Sequence, residues 1–278
     1  MRINDLQGFR EKVLYPCVRV RAANAGGSGQ VVLSNERDGT FVLTCQHVVD
    51  GCIEVKEEWS QLQQRNIKKD ILAPVDVEFF SYKYDDRAIG STKVQSEIVC
   101  YDKNEDIALL RLDADPRKDQ WVAKMFPCEG PKDPHVSEHI DYMAEVVTVG
   151  AAMGSRPITT TGNLCDFNEM IDNREYWLST APSIFGNSGG ATFLTETWEF
   201  IGMPARIIVS RGGFSSDAIT HMGYIVPITR IVKFLKDNMM MFFFDDSKSY
   251  DECIEEIKKK REKAELETMA AAMKGNSQ

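Results

Sequence analysis

The feature that most constrains the fold is a recurring period-two pattern. Short stretches alternate apolar and polar residues and are separated by glycine, proline and acidic turn residues. Cys17-Val18-Arg19-Val20-Arg21-Ala22 alternates as a half-buried strand does, because successive side chains of an extended chain point to opposite faces. Gly26-Gly27-Ser28-Gly29 reads as a break, Gln30-Val31-Val32-Leu33 resumes the strand pattern, and Thr40-Phe41-Val42-Leu43-Thr44 follows the turn at Asp38-Gly39. The polar stretch from Glu57 to Lys69 is compatible with a helix. Val75 to Tyr82, Lys93 to Cys100 and Ile107 to Leu112 read as three further strands. Six short strands joined by turns predict a small antiparallel barrel rather than βαβ units. A second set comprises Glu145 to Val149, Ile158 to Thr161, Tyr176 to Thr180, Ala191 to Leu194, Glu199 to Val209 and Met222 to Val226. The expected fold is therefore all-β, with two antiparallel six-stranded β-barrels and C-terminal helices.

The organisation follows from these sets. Residues 1–14 read as an N-terminal helix, with Leu6, Phe9 and Val13 at helical spacing. Residues 15–115 form the first barrel. Residues 116–142, rich in Pro, Asp, Lys and His, form an inter-barrel connection, and residues 143–228 form the second barrel. Pro227 ends the last strand, and Thr229 is placed to cap a helix within 229–244 that carries Ile231, Val232 and Leu235 on one face. The remainder, 245–278, is a charged helical tail. From Ser249 to Met273 it has Glu255→Lys259 and Glu256→Lys260 pairs but no sustained heptad of apolar positions. That pattern fits a solvated helix packed by one end. A helix at 249–273 serving self-association or a partner contact is the alternative.

Composition removes several classes of function. With 43% hydrophobic residues the 278-residue chain is too apolar for intrinsic disorder. Forty-two acids against 33 bases give a net charge of −9, and no dense basic stripe is available to hold a phosphate backbone, so nucleic acid is not an expected partner. The longest apolar cluster, Met239 to Phe244, is far short of the roughly 20 residues that a membrane-spanning helix needs. The first residues, Met1 to Gln7, carry no apolar signal core. Seven cysteines (17, 45, 52, 100, 128, 165 and 253) are an odd number without paired spacing. The expectation is reduced thiols and a cytoplasmic location.

Three segments carry chemistry. Leu43-Thr44-Cys45-Gln46-His47-Val48-Val49-Asp50-Gly51 puts a histidine just past a strand end. Glu105-Asp106-Ile107-Ala108-Leu109-Leu110 leads an acid straight into an apolar strand, whereas Asp102 and Glu105 read as a solvated turn. Phe185-Gly186-Asn187-Ser188-Gly189-Gly190-Ala191 holds a serine in a glycine-flanked turn. A serine hydroxyl is a poor nucleophile near neutral pH unless an imidazole accepts its proton, and a carboxylate behind the imidazole fixes its tautomer and orientation. Backbone N–H groups of a tight turn can then meet the negative charge that develops on an attacked carbonyl oxygen.

With these three motifs in the order His, Asp, Ser, the sequence resembles the trypsin-like, chymotrypsin-fold serine peptidases, and within them the HtrA/Deg branch. Gly27-Ser28-Gly29, Thr160-Thr161-Gly162 and Gly223-Tyr224-Ile225-Val226-Pro227 extend the resemblance over roughly residues 15 to 240. The resemblance implies Ser188 as nucleophile, His47 as general base and then acid, and Asp106 as its orienting carboxylate. It also implies an oxyanion hole from the N–H groups of Gly186 and Ser188. The implied reaction is hydrolysis of a peptide bond in a peptide or protein substrate, with no metal and no cofactor. Two departures matter. Asn187 stands where zymogen-activated trypsins carry an aspartate, which excludes activation through that ion pair. Only about 38 residues follow residue 240, too few for the PDZ domain that HtrA proteins usually append.

Specificity is faintly legible. Pro182 occupies the position that trypsin-type enzymes give to an aspartate, so strict cleavage after Arg or Lys is not expected. Phe185, Met203, Pro204 and Ala205 suggest an apolar pocket, whereas Arg206 and His221 favour an acidic residue if either points inward. Cys45, His47 and Cys52 match no common structural zinc spacing. Gly26 to Gly29 lacks the Lys-Ser/Thr of a phosphate-binding loop. His135 and His139 read as surface residues. The alternatives to an active endopeptidase are a catalytically silent scaffold and a processing enzyme with a single partner.

Overall fold

In the first lobe, strand β1 (Cys17–Arg21) pairs antiparallel with β2 (Gly26–Asn35) on one side and with β6 (Val75–Lys83) on the other. β3 (Gly39–Thr44), β8 (Ile107–Leu112) and β7 (Arg87–Asp102) complete the ring in the order β1-β2-β3-β8-β7-β6. The second ring runs β10 (Ile158–Ile171), β11 (Arg174–Ser179), β14 (Ser215–Pro227), β13 (Phe200–Gly212), β12 (Ala191–Leu194) and β9 (Glu145–Gly150). Both sheets close on themselves, which removes unpaired edges. This is a computed structural model, and it describes residues 5–23, 25–60, 65–84, 86–117, 121–212 and 215–275.

Two expectations need correction in the first lobe. The polar stretch from Glu57 to Lys69 is a β-hairpin of β4 (Ile53–Ser60) and β5 (Arg65–Leu72) standing outside the barrel, not a helix. Its register sets Glu57 opposite Lys68 and Ile53 opposite Leu72, so cross-strand charge pairing takes the place of a buried face. Gly26 to Gly29 does not break the chain but opens β2. A Cβ on Gly29 would sit 2.6–3.0 Å from the Val42, Val20 and Val18 side chains, so glycine lets the strand lie against the barrel filling.

The segment between the barrels is stitched to both. Ala123 N–H donates to the Val31 carbonyl, while Phe126 N–H donates to the Phe200 carbonyl. Ala123, Phe126, Val136 and Ile140 are buried, which anchors a polar segment by a few apolar side chains. Within it, a short helix (Pro134–His139) leaves His139 exposed, whereas His135 is half-buried and stacked on Phe126.

At the N-terminus, one helical turn, α1 (Leu6–Phe9), runs into a wider turn at Arg10–Leu14. After the second barrel comes a helix (Ile228–Asp237) whose N-cap is Pro227; Thr229 lies inside its first turn rather than capping it. That helix stops short of 244, because Met239 adopts a left-handed φ of 61° and Met240 N–H closes back onto the Leu235 carbonyl. Among the described residues, the tail helix (Tyr250–Gly275) docks by its start. There, Tyr250 packs against Phe41 and Phe242, Cys253 is fully buried, and Asp38 accepts the Tyr250 N–H.

Candidate active site

His47 owes its position to the end of β3. Cys45 is extended and leads into a single helical turn over Gln46–Val49, which turns the imidazole out of the barrel wall. Asp106 comes from the loop between β7 and β8. The Asp102 carboxylate accepts the N–H groups of Asn104 and Glu105 at 2.7 and 2.9 Å, which folds that loop tightly. Asp106 itself has a left-handed φ of 57°, an uncommon conformation for a residue with a side chain, and it is almost buried. Its carboxylate meets His47 three ways. Oδ1 accepts the His47 backbone N–H at 3.0 Å, and Oδ1 and Oδ2 lie 3.0 and 2.9 Å from Nδ1. With Nδ1 bonded to a carboxylate, Nε2 is the nitrogen left to act as a base.

Glu105 was expected in a solvated turn but is clamped from the second barrel. Arg230 donates to its carboxylate through Nε at 2.7 Å and to its backbone carbonyl through Nη2 at 2.9 Å. Arg174 lies 3.0 Å from the other carboxylate oxygen. Arg230 also lies over the Tyr176 ring and donates to the Glu175 carbonyl. The residue next to Asp106 is thereby tied to the opposite lobe.

Ser188 sits in a turn of the second barrel packed against the first. Gly186 and Gly189 have φ values of +94° and +83°, which glycine adopts without strain. Ser28 staples the turn. Its N–H donates to the Ser188 carbonyl at 2.8 Å, its hydroxyl donates to the Gly186 carbonyl at 2.6 Å, and that hydroxyl accepts the Ala151 N–H at 2.7 Å. A Cβ on Gly27 would lie 2.8 Å from the Ser188 carbonyl oxygen and 2.6 Å from Val48, so the lobes meet here backbone to backbone. Ser188 thus lies beside the segment that carries His47, although among the described residues no hydrogen bond joins their side chains.

The donors of this turn divide cleanly. Asn187, Gly189 and Gly190 N–H groups are bonded to the carbonyls of Ile184, Pro204 and Asn187. The N–H groups of Gly186 and Ser188 have no acceptor among the described residues. The Phe185 carbonyl accepts the Met153 N–H at 2.8 Å, and because N–H and C=O of a trans peptide point opposite ways, the Gly186 N–H is turned away from that loop. Arg19 in turn donates to the Gly154 carbonyl and so ties the loop to the first barrel. Asn187 is buried, with its Oδ1 unpartnered among the described residues.

The residues proposed from sequence for specificity differ in exposure. Pro182 and Phe185 are exposed, Ala205 and Pro204 are buried, and Met203 has no exposed surface. Arg206 is committed to Asp172 at 2.7 Å and lies over the Tyr176 ring, while His221 is exposed. Cys45, His47 and Asp106 bring ligand atoms within 4.8 Å of one another. The chemistry of this set opposes metal binding: burial, reinforced by the Asp106 charge, pushes the Cys45 thiol well up, and Nδ1 of His47 is occupied by Asp106.

Two closed barrels with a histidine–aspartate pair on one and a serine in a tight glycine turn on the other define a chymotrypsin-like protein. The chain belongs to the trypsin-like peptidase domain family, whose model matches residues 27–203. No curated protein sequence matches it. Among solved structures it is similar to the Rv3671c protease in its inactive form, with 17% identity and a TM-score of 0.52 over 84% of this chain and 93% of that one. A second Rv3671c structure, from M. tuberculosis H37Rv, gives 18% and 0.53 over 84% and 91%. The HtrA-type protease AlgW with a tripeptide gives 16% and 0.56, over 84% of this chain and 62% of that one. Likeness at such identities speaks to the fold alone.

Proposed function

We propose that the chain is a serine endopeptidase with Ser188 as nucleophile, His47 as general base, Asp106 as the carboxylate that orients it, and the N–H groups of Gly186 and Ser188 as oxyanion donors. As Ser188 Oγ bonds to the scissile carbonyl carbon, its proton passes to His47 Nε2, and the carbonyl oxygen takes the negative charge. Collapse breaks the C–N bond, and the imidazolium returns the proton to the departing amine. Water, deprotonated by the same imidazole, then hydrolyses the ester. Catalytic hydrogen bonds are commonly long in a free enzyme and tighten with substrate, so the unformed Ser188–His47 link is compatible with this role.

The observation that carries the reading is the pair of unsatisfied donors beside Ser188. In a turn where the N–H groups of Asn187, Gly189 and Gly190 are bonded, these two have no acceptor among the described residues and are free to meet the charge that would develop. For the acyl side of the cut, the engagement of Arg206 by Asp172 favours an apolar over an acidic residue. A fluorophosphonate probe tests the reading. The native protein should be labelled covalently and Ser188→Ala should not, with turnover lowered about 10⁴-fold or more in the variant. A native protein that stays unlabelled would mean a silent scaffold instead.

A further inference from the structure

A cavity of about 690 Å³ opens beside the serine turn, walled by Arg19, Arg21, Gly27, Met153, Phe185 and Gly186. Among the described residues no carboxylate lines it. The acid behind it is Glu78, which both arginines share: Arg19 donates to Oε2 through Nε and Nη2, and Arg21 Nε lies 2.6 Å from Oε1. Each nitrogen of Arg19 is then engaged, because Nη1 holds the Gly154 carbonyl. For Arg21 this does not hold. Its side chain is 51% exposed, and Nη1 and Nη2 have no partner among the described residues. Asp76, opposite Arg21 in the ladder, is engaged by Lys93 at 2.9 Å. Two guanidiniums against one carboxylate leave a positive charge uncompensated at the cavity wall, in a chain whose net charge is −9.

The cavity lies on the first-barrel side of the serine turn, between β1 and the Met153 loop. Its wall includes Gly186, a proposed oxyanion donor, together with β1 and β2 of the first barrel, which also carries His47, the proposed proton donor to the departing amine; this favours the leaving-group side for the space. Two residues of extended chain span roughly 7 Å, which a space of this volume accommodates. Resting on the peptidase reading, we propose that this cavity receives the leaving-group half of the substrate and that Arg21 selects an aspartate or glutamate within the first two residues after the cut bond. A planar guanidinium with two free nitrogens matches a carboxylate bidentately, and a neutral side chain there would lose that charge-assisted pair.

Digestion of a proteome-derived peptide library by the native protein, Arg21→Ala and Arg21→Glu, read by mass spectrometry, tests this. The native protein should enrich Asp or Glu at the first or second position after the cut, and both variants should lose the enrichment. With a matched peptide pair differing only by Asp or Ala at the enriched position, the native kcat/KM should favour Asp roughly tenfold. Fluorophosphonate labelling of Ser188, which needs no leaving-group chain, should stay at the native rate in both variants. Labelling and cleavage without acid enrichment overturn the inference and leave the peptidase reading standing. Absence of both labelling and cleavage in the native protein overturns the two together.

Discussion

Asp106 holds a backbone conformation that costs a residue with a side chain about 1–2 kcal/mol, and its neighbour Glu105 supplies the restraint. Arg230, almost buried, reaches across from the helix that follows the second barrel to fix both the carboxylate and the carbonyl of Glu105. Arg230→Met keeps an unbranched apolar stem and removes the donors. We expect kcat to fall by roughly one to two orders of magnitude with KM little changed and far-UV circular dichroism intact, since small misplacements of a catalytic group are costly. An unchanged kcat would show that the Arg174 contact alone suffices. His47, Asp106 and Ser188 stood out as candidates because each is a reactive residue type at a recognisable strand end or turn. Glu105 and Ser28 were not. Arg230 lies 125 residues from Glu105, and the Gly186 carbonyl lies 158 residues from the Ser28 hydroxyl, so no local pattern could announce either contact.

Among the elements, those that bury apolar residues were readable from the sequence and those without a buried face were not. β3 and β8 are apolar runs buried on nearly every residue, and turn residues mark their ends. The β4–β5 hairpin lacks such a face, with Val55 and Trp59 exposed among charges, so alternation gave no sign of it. The tail helix was legible as a helix, but its docking was not, because it depends on Asp38 in a distant turn. Burial pushes the Asp38 carboxyl up, yet the Tyr250 N–H and the Arg37 and Asn35 side chains outweigh this and hold it below its usual 3.8. A carboxyl lowered in the folded state stabilises while ionised. The docking contribution is therefore complete above pH 3.8 and is lost as pH falls below that value through the folded titration. Amide exchange at the start of the tail helix should accelerate below about pH 4 before the barrel strands respond. Asp38→Asn should show the faster exchange already at neutral pH. Exchange that stays protected in the variant would contradict this anchor.

At the scale of the molecule, the two-barrel plan followed from counting strands and turns, whereas the seam between the barrels did not. It is built from backbone contacts at Gly27, Ser28 and the serine turn, together with the Arg230–Glu105 clamp. Since the proposed nucleophile and its base sit on different barrels, any treatment that parts the lobes disarms the site while leaving each sheet intact. In a urea titration, peptidase activity should be lost at a lower concentration than ellipticity. Coincident transitions would mean that the lobes separate only when they unfold.

The chemistry of the sulfurs has a consequence for how this molecule meets oxidants and electrophiles. Burial pushes the thiols of Cys17 and Cys100 up to about 12 and that of Cys128 to about 11, and it raises Cys45 and Cys165 as well. Cys52 and Cys253 are sheltered by burial. The five raised thiols are thus poor in thiolate, the form that peroxide and alkylating agents attack. Iodoacetamide should pass over these thiols under native conditions, which leaves the proposed serine nucleophile as the group an electrophile would meet.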